Sequence, residues 1–399
     1  MLGIPVFKPK QIKRDISKTD RLKLVVLDAN FKFVERFFLE CSNFSDVLLL
    51  RPRDFRSFRK YYGSCFIDFK PKPVTEGVWE QRICCPPGWL FHYWLITKLF
   101  FSYLIKKFQD DYPLIFVFVY PYYCSLIHKF KAHSIYFNLD DYQFYWPKRK
   151  EQTQRLEGHA VNSADLTICV SYYRTQLLKQ MYPSRADNIF YIPLGSTPEF
   201  ISEYPLREPK SLPAELQHYK RPLCGYIGAL NYRFDYNYLS KVAEELRDIT
   251  FILGGSIPQQ REGNLEWWKG VQKARNLSNI NFIGPVNNDR LGEYLQSFDV
   301  LLMIYSNCEF NLNCTPSKLW EYLGASMPIV ANRVVPELNQ WDNFLLISRS
   351  PEEFAANVKF ALANPGWLSK ERWEAAQANT WKIRSQKLYS LLQDRNWVT

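Results

Sequence analysis

Short apolar runs alternate with segments of helical spacing along most of the chain. In the first half, Leu22–Leu27 (LKLVVL), Val47–Leu50, Leu114–Val119, Ile135–Asn138 and Leu166–Val170 read as buried strands, with helical spacing at Leu95–Phe108 and Tyr173–Met181. The alternation begins again at Leu223–Ile227. A helix is expected over Tyr236–Leu246, and further strands over Thr250–Leu253, Asn281–Ile283, Val300–Ile304 and Pro328–Ala331. Helical patterns at Asp289–Gln296 and Pro316–Leu323 lie between the last three strands, and a terminal helix is expected over Trp373–Leu392. Strands separated by helices imply βαβ units and parallel sheets. The expected fold class is therefore α/β, with two Rossmann-like parallel-sheet domains. Ligands of open parallel sheets sit beyond the carboxyl ends of the strands, so the two domains are expected to face a cleft.

The length of 399 residues suits two domains, and a composition 47% hydrophobic and 23% charged excludes a disordered chain or a disulfide mini-scaffold. The stretch Tyr204–Pro222, rich in Pro and charge, reads as the linker, which bounds an N-terminal domain at 1–203 and opens the second domain at 223. Charge separates the halves further. Residues 1–150 hold 25 Lys and Arg against 14 Asp and Glu, which accounts for the whole net charge of +11. The first part is expected to meet an anionic partner, a membrane surface or a nucleic acid. Nine scattered cysteines without a CxxC pair or zinc-ligand spacing read as reduced thiols of a cytosolic chain. Lys8, Lys10, Lys13, Arg14 and Lys18 leave no room for the apolar core of a signal peptide. The longest uncharged stretch of the aromatic segment, Ile83–Thr97, is too short to span a bilayer.

The most informative segment is Asn313–Ala331, NCTPSKLWEYLGASMPIVA. Thr315 suits an N-cap and Pro316 a first helical position, with the helix stopping near Gly324. Leu319, Tyr322 and Leu323 then face the core, while Lys318 and Glu321 share the opposite face. A cation in the first turn opposes the helix dipole by about 0.3–1 kcal/mol. A bound diphosphate would reverse that, held by the free N–H groups of Ser317 and Lys318 together with the ammonium. Glu321, one turn deeper, has two acceptor oxygens for the hydroxyls of a ribose. A surface Lys–Glu pair on an ordinary capped helix fits the same residues.

The run PSKLWEYLGASMPIVA resembles the donor-site segment of GT-B glycosyltransferases of the family 1 and 4 type, where a P-S-K-L-x-E-Y-x-A-x-G-x-P-V-V-A pattern is typical. Other pieces are similar in order and spacing: Ala164–Ser171 (ADLTICVS), Tyr191–Gly195 (YIPLG), Gly225–Ala229 (GYIGA), Asn281–Val286 (NFIGPV), Phe298–Leu302 (FDVLL) and Asn379–Gln386 (NTWKIRSQ). The likeness is close over residues 160–399 and thin over residues 1–135. It implies a GT-B fold, whose second domain would run over 223–375 and whose last helix, 376–399, crosses back to the first domain. It further implies sugar transfer from a nucleoside-diphosphate sugar to an acceptor hydroxyl. Lys318 would hold the donor phosphates and Glu321 the ribose, with Thr315 and Ser317 at the helix opening. Gly228 would allow close approach of the diphosphate, with Arg233 a second cation, while Ile283 and Val286 would line the base. Two departures stand out: the retaining Glu-x7-Glu pattern has Asn313 in place of its first Glu, and the final Gly of the motif is Ser326. Asn313 can still bond a sugar hydroxyl. An inverting reaction needs a general base from the first domain.

Asp140 and Asp141, just past the strand Ile135–Asn138, are the candidate bases, although turn or capping carboxylates fit the same pattern. Asp28, after the first strand, is the second choice, and His159, on a helix, a weaker one. No D-x-D or other metal motif is present, so metal-independent transfer without a cofactor is expected, the leaving diphosphate being neutralised by Lys318 and the helix N-terminus. Residues 89–145 contain 20 aromatics, and the helix Trp89–Phe108 ends in Lys106 and Lys107. Packing in a core or lying in an anionic membrane interface both suit it. Single-stranded nucleic acid would also stack on such aromatics, yet no RNP, KH or zinc-finger signature accompanies them, and no nucleic-acid partner is expected. The combined expectation is a cytoplasmic, peripherally membrane-bound hexosyltransferase of polysaccharide biosynthesis with a glycan or lipid-linked acceptor. A nucleotide-sugar epimerase of the same fold and a nucleotide-binding module without turnover are the alternatives.

Overall fold

The computed structural model describes residues 22–63, 70–86, 88, 102–103, 114–129, 132–203, 212–259 and 265–398. The expected aromatic helix 89–108 lies outside them apart from 102–103, as do residues 204–211 of the expected linker. The chain divides into two compact units, Met1–Leu194 with Trp381–Thr399, and Gly195–Thr380. Gly195–Glu203, expected with the first domain, belongs to the second unit, where Ser202 N donates to Gly324 O at 2.8 Å and Ser196 N to Asn379 O at 2.9 Å.

The first unit is an eight-stranded sheet. Its strands are β1 (Leu22–Leu27), β2 (Ser45–Asp54), β3 (Lys72–Thr75), β4 (Val78–Cys85), β5 (Leu114–Phe118), β6 (His133–Asn138), β7 (Leu166–Cys169) and β8 (Ile189–Tyr191). Their order is β3-β4-β2-β1-β5-β6-β7-β8, with every pair parallel except the antiparallel β3–β4 edge. Strands covered on both faces must be apolar throughout, and LVVL of β1 and LIFVF of β5 are. β4 (VWEQRICC) escaped the sequence reading because its polar residues meet partners on other elements: Glu80 lies 2.9 Å from Nε of Arg51 in β2, whose Nη2 stands 2.8 Å from Glu35.

The second unit is a six-stranded, wholly parallel sheet of β9 (Leu223–Ile227), β10 (Thr250–Gly254), β11 (Ile280–Gly284), β12 (Val300–Met303), β13 (Ile329–Asn332) and β14 (Leu346–Ser348). Its order, β11-β10-β9-β12-β13-β14, places the first strand centrally, so the chain reverses direction between β9 and β12. That crossover point, at the carboxyl ends of the strands, is where doubly wound sheets bind ligands. The corresponding point of the first unit lies between β1 and β5.

The single terminal helix expected over Trp373–Leu392 is two helices, Ser369–Gln377 and Trp381–Asp394. The break has a local cause: Asn379 turns its side-chain Nδ2 back onto Ala375 O at 2.6 Å, and Thr380 bridges Ser196 instead of continuing the helix. Trp381–Asp394 packs in the first unit, where Tyr389 meets Phe44 at 4.8 Å between ring centroids and Ser385 Oγ donates to Glu40 O.

Candidate active site

In the second unit three strand ends are stitched together. Gly228 N donates to Gly254 O at 2.8 Å, and Gly255 N donates to Gly284 O at 2.7 Å. A methyl group on Gly228 would overlap Lys318 Cε and Nζ, and one on Gly255 would overlap Gly228 O. Lys318 Nζ also stands 5.0 Å from the centroid of the Tyr226 ring. The ammonium is thus laid over the glycine loop at the end of β9, beside the β9/β12 crossover.

Lys318 opens the helix Lys318–Ala325, two residues later than the expected start at Pro316. Ser317, in helical conformation and without a side-chain cap bond, precedes it in place of a Thr315 cap. The difference arises from a tight opening turn, in which Leu319 N and Trp320 N donate to Pro316 O and Ser317 O at 3.1 and 3.2 Å. At the far end Ser326 adopts φ +63°, the left-handed conformation that a motif glycine would take without strain. Its hydroxyl lies 3.1 Å from Ser202 Oγ, and Arg372 Nε donates to its carbonyl at 3.3 Å.

Of the other expected donor residues, Glu321 is half-buried one turn into the helix, Thr315 is half-buried and Ser317 exposed. Asn313 ends the short helix Glu309–Asn313 and donates to Glu309 O at 2.8 Å. Ile283 and Val286 converge with Ile227 on Gly254: a methyl there would stand 3.1 Å from Val286 Cγ2 and 3.4 Å from Ile283 Cδ1, so the glycine floors an apolar shelf. Arg233 donates from Nε to Asn311 Oδ1 at 2.9 Å, and its guanidinium lies 4.0 Å above the Phe310 ring. Asn311 is fully buried, and its Nδ2 donates to Arg233 O at 2.9 Å and Ser306 O at 2.8 Å. This amide ties the loop after β9 to the loop after β12. The sequence reading missed it; standing between Asn307 and Asn313, Asn311 carries no pattern that sets it apart.

In the first unit the expected bases part company. Asp141 is 2% exposed, accepts from Arg174 Nη1 at 3.1 Å and from Gln143 Nε2 at 2.6 Å. Arg174 also bonds Glu157, which Asn138 and Tyr136 approach at 3.2 and 3.4 Å. Burial pushes the Glu157 carboxyl up; on Arg174, burial works to lower the pKa, and Glu157 and Asp141 overcome it to raise it. The Asp141 carboxylate is therefore committed to a buried ion-pair network. Asp140 is half-buried and accepts from Tyr145 Oη at 3.1 Å. His159 is exposed on the helix Lys150–Ser163.

Asp28, the second choice, stands at the crossover point, just past β1. It is 3% exposed, adopts φ +70°, and accepts from Asn30 Nδ2 and, at 3.0 Å, from Tyr123 Oη in the segment after β5. Burial raises its pKa to about 6, against the lowering pull of the Asn30 and Tyr123 bonds and the Arg53 charge. Such a carboxylate is ionised at neutral pH and more basic than an ordinary one. Among the described residues no three His, Cys, Asp or Glu side chains cluster as metal ligands, no disulfide joins the cysteines, and no helix is long and apolar enough to cross a membrane.

Residues 236–389 match the family described as "Glycosyl transferase-like". The Bacillus subtilis protein TuaH, a teichuronic acid biosynthesis glycosyltransferase by its name, is 23% identical over 186 residues, 47% of this chain and 45% of that protein. The chain thus matches less than half the length of this curated relative. Among solved structures, sucrose-phosphate synthase from Thermosynechococcus elongatus superposes with a TM-score of 0.69 at 16% identity, covering 94% of this chain and 99% of the other. Anabaena HepE, solved in complex with UDP, gives 0.66 at 12% identity over 94% and 100% of the two chains. The Escherichia coli trehalose-6-phosphate protein bound with UDP-2-fluoro glucose gives 0.67 at 12% identity over 93% and 98%. The fold is GT-B.

Proposed function

We propose that the chain transfers a sugar, a hexose, from a nucleoside-diphosphate sugar to an acceptor hydroxyl. One observation carries this reading: the Lys318 ammonium folds over Gly228 at the crossover point, where only a residue without a side chain leaves it room. A cation against bare backbone suits a diphosphate, which takes the charge on one side and close N–H groups on the other. In this reading Lys318 and Arg233 hold the diphosphate with the helix opening at Thr315–Ser317. Glu321 takes the ribose, the shelf of Ile283 and Val286 takes the base, and Asn313 bonds the donor sugar. The same cations neutralise the leaving diphosphate, so transfer proceeds without a metal or other cofactor.

For the acceptor step we assign Asp28 as general base of an inverting transfer. Asp141 is occupied by Arg174, and the raised pKa of Asp28 suits proton abstraction near neutrality. The relationship to TuaH and the basic first half of the sequence support a role in polysaccharide biosynthesis, peripheral on the cytoplasmic face of an anionic membrane. Co-sedimentation with anionic vesicles should then fall as salt rises; equal binding to neutral vesicles at high salt contradicts the electrostatic part.

The deciding experiment incubates the protein with labelled UDP- and GDP-sugars and an oligosaccharide mixture. Nucleotide release with label in the glycan is expected. An isomerised free sugar nucleotide would indicate an epimerase, and tight nucleotide binding without turnover a binding module.

A further inference from the structure

The carboxyl-end rim of the first sheet carries a continuous band of aromatic rings that the donor site does not use. Phe33 stacks on Phe31 at 5.3 Å, Phe31 reaches Tyr120 at 6.0 Å, Tyr120 reaches Trp146 at 5.7 Å, and Trp146 reaches Tyr145 at 5.8 Å. Only Tyr120 of these is buried; Phe31, Phe33 and Trp146 are half-exposed and Tyr145 is 39% exposed. Rings whose sole task was core packing would be covered, since apolar surface left in water forfeits stabilisation in proportion to its area. Two carboxylates border the band. Asp140 accepts from Tyr145 Oη, and burial followed by the charge of Asp28 pushes the Tyr120 phenol well above its ordinary value, with Asp140 adding to it.

We infer that this band binds a pyranose ring of the acceptor, its C–H face on Trp146 and Tyr145 and its hydroxyls donating to Asp140 and Asp28. The assignment rests on the glycosyl-transfer reading and names the acceptor as a glycan. Sugar rings are the ligands that present an apolar C–H face and hydrogen-bond donors at once. An alkyl chain would cover the half-buried Asp140 without adding a donor to it, which disfavours that ligand. A phosphate or nucleic-acid strand would meet Asp140 and Asp28 on the band itself, while the cations stand at both of its ends: Arg53 acts on Asp28, Lys150 lies 5.6 Å from the Phe144 ring and Arg149 acts on Tyr122.

Saturation-transfer NMR on the full chain tests this without any nucleotide, using methyl glycosides of glucose, galactose and N-acetylglucosamine, with 1-hexanol as the apolar probe. The ring C–H protons of at least one glycoside should receive saturation, reduced fivefold or more in Trp146→Ala and Tyr145→Ala and regained in part in Trp146→Phe. UDP-induced thermal stabilisation in each variant reports the intact fold and donor site. Saturation unchanged by the substitutions, or found for hexanol and for none of the glycosides, overturns the assignment. Glycoside binding without UDP stabilisation would instead fail the donor reading and leave this one standing.

Discussion

The Lys318 side chain fills the volume that a side chain at Gly228 would need, although the two residues lie ninety positions apart in the sequence. Each therefore constrains the other. A methyl at position 228 must displace the ammonium, and without Lys318 the space over the glycine loop is left open.

Gly228→Ala and Lys318→Ala should each weaken UDP or GDP binding at least tenfold, about 1.4 kcal/mol or more. Thermal-shift titration measures this, with far-UV circular dichroism as the check on folding. Nucleotide stabilisation that survives in Lys318→Ala removes that residue from the site.

Asn311→Ala removes the amide donor shared by Arg233 O and Ser306 O, which keep Ser306 N at 2.8 Å and Cys308 N at 2.9 Å, and takes away the Asn311 acceptor of Arg233 Nε. Each lost hydrogen bond costs about 0.5–1.5 kcal/mol. The donor KM should rise about tenfold with a smaller change in kcat, because the cation remains and only its aim is lost. Steady-state kinetics separate the two; a loss confined to kcat would argue against a positioning role.

Asp28 links stability to pH with a definite sign. Its folded pKa of about 6 lies above the unfolded value near 3.9, so the folded state holds its proton more tightly. Its contribution is fully present below about pH 4 and is lost as pH rises through about 6. Asp28→Asn keeps an acceptor for Tyr123 and tolerates the left-handed backbone. It should be more stable than the parent at pH 7, by up to about 3 kcal/mol, and the gap should close toward pH 4. The same variant should lose transfer activity, and the parent's activity should fall as pH drops through about 6.

Arg174→Met strands two buried carboxylates, Asp141 and Glu157. Breaking a buried ion pair in this way costs about 3–5 kcal/mol. Urea unfolding should register that loss, and adding Glu157→Gln should recover part of it. A wild-type-like midpoint in the single variant would show the network to be dispensable.

The βαβ order of the second unit was legible from its apolar runs, because strands buried on both faces must be continuously apolar. β3, β4, β8 and β14 were not. β3 is exposed along its length, β8 and β14 are three residues each, and β4 buries Gln81 and pairs Glu80 with Arg51 and Arg82, partners that periodicity cannot anticipate. The helix that carries Lys318 was legible because its apolar spacing and charges are contiguous. Its opening turn was not, since the bonds to Pro316 O and Ser317 O depend on a local geometry that several turns share.

The sequence by itself determined two parallel-sheet units and the helix that presents Lys318. Tertiary structure decided the surroundings of each candidate carboxylate. Asp140, Asp141 and Asp28 all follow strands and read alike in one dimension. Folding sets Asp141 against Arg174, thirty-three residues away, and buries Asp28 beside Tyr123, ninety-five away. A side chain's proton affinity depends on its desolvation and on neighbours brought from distant positions, and neither quantity is written in the residues beside it.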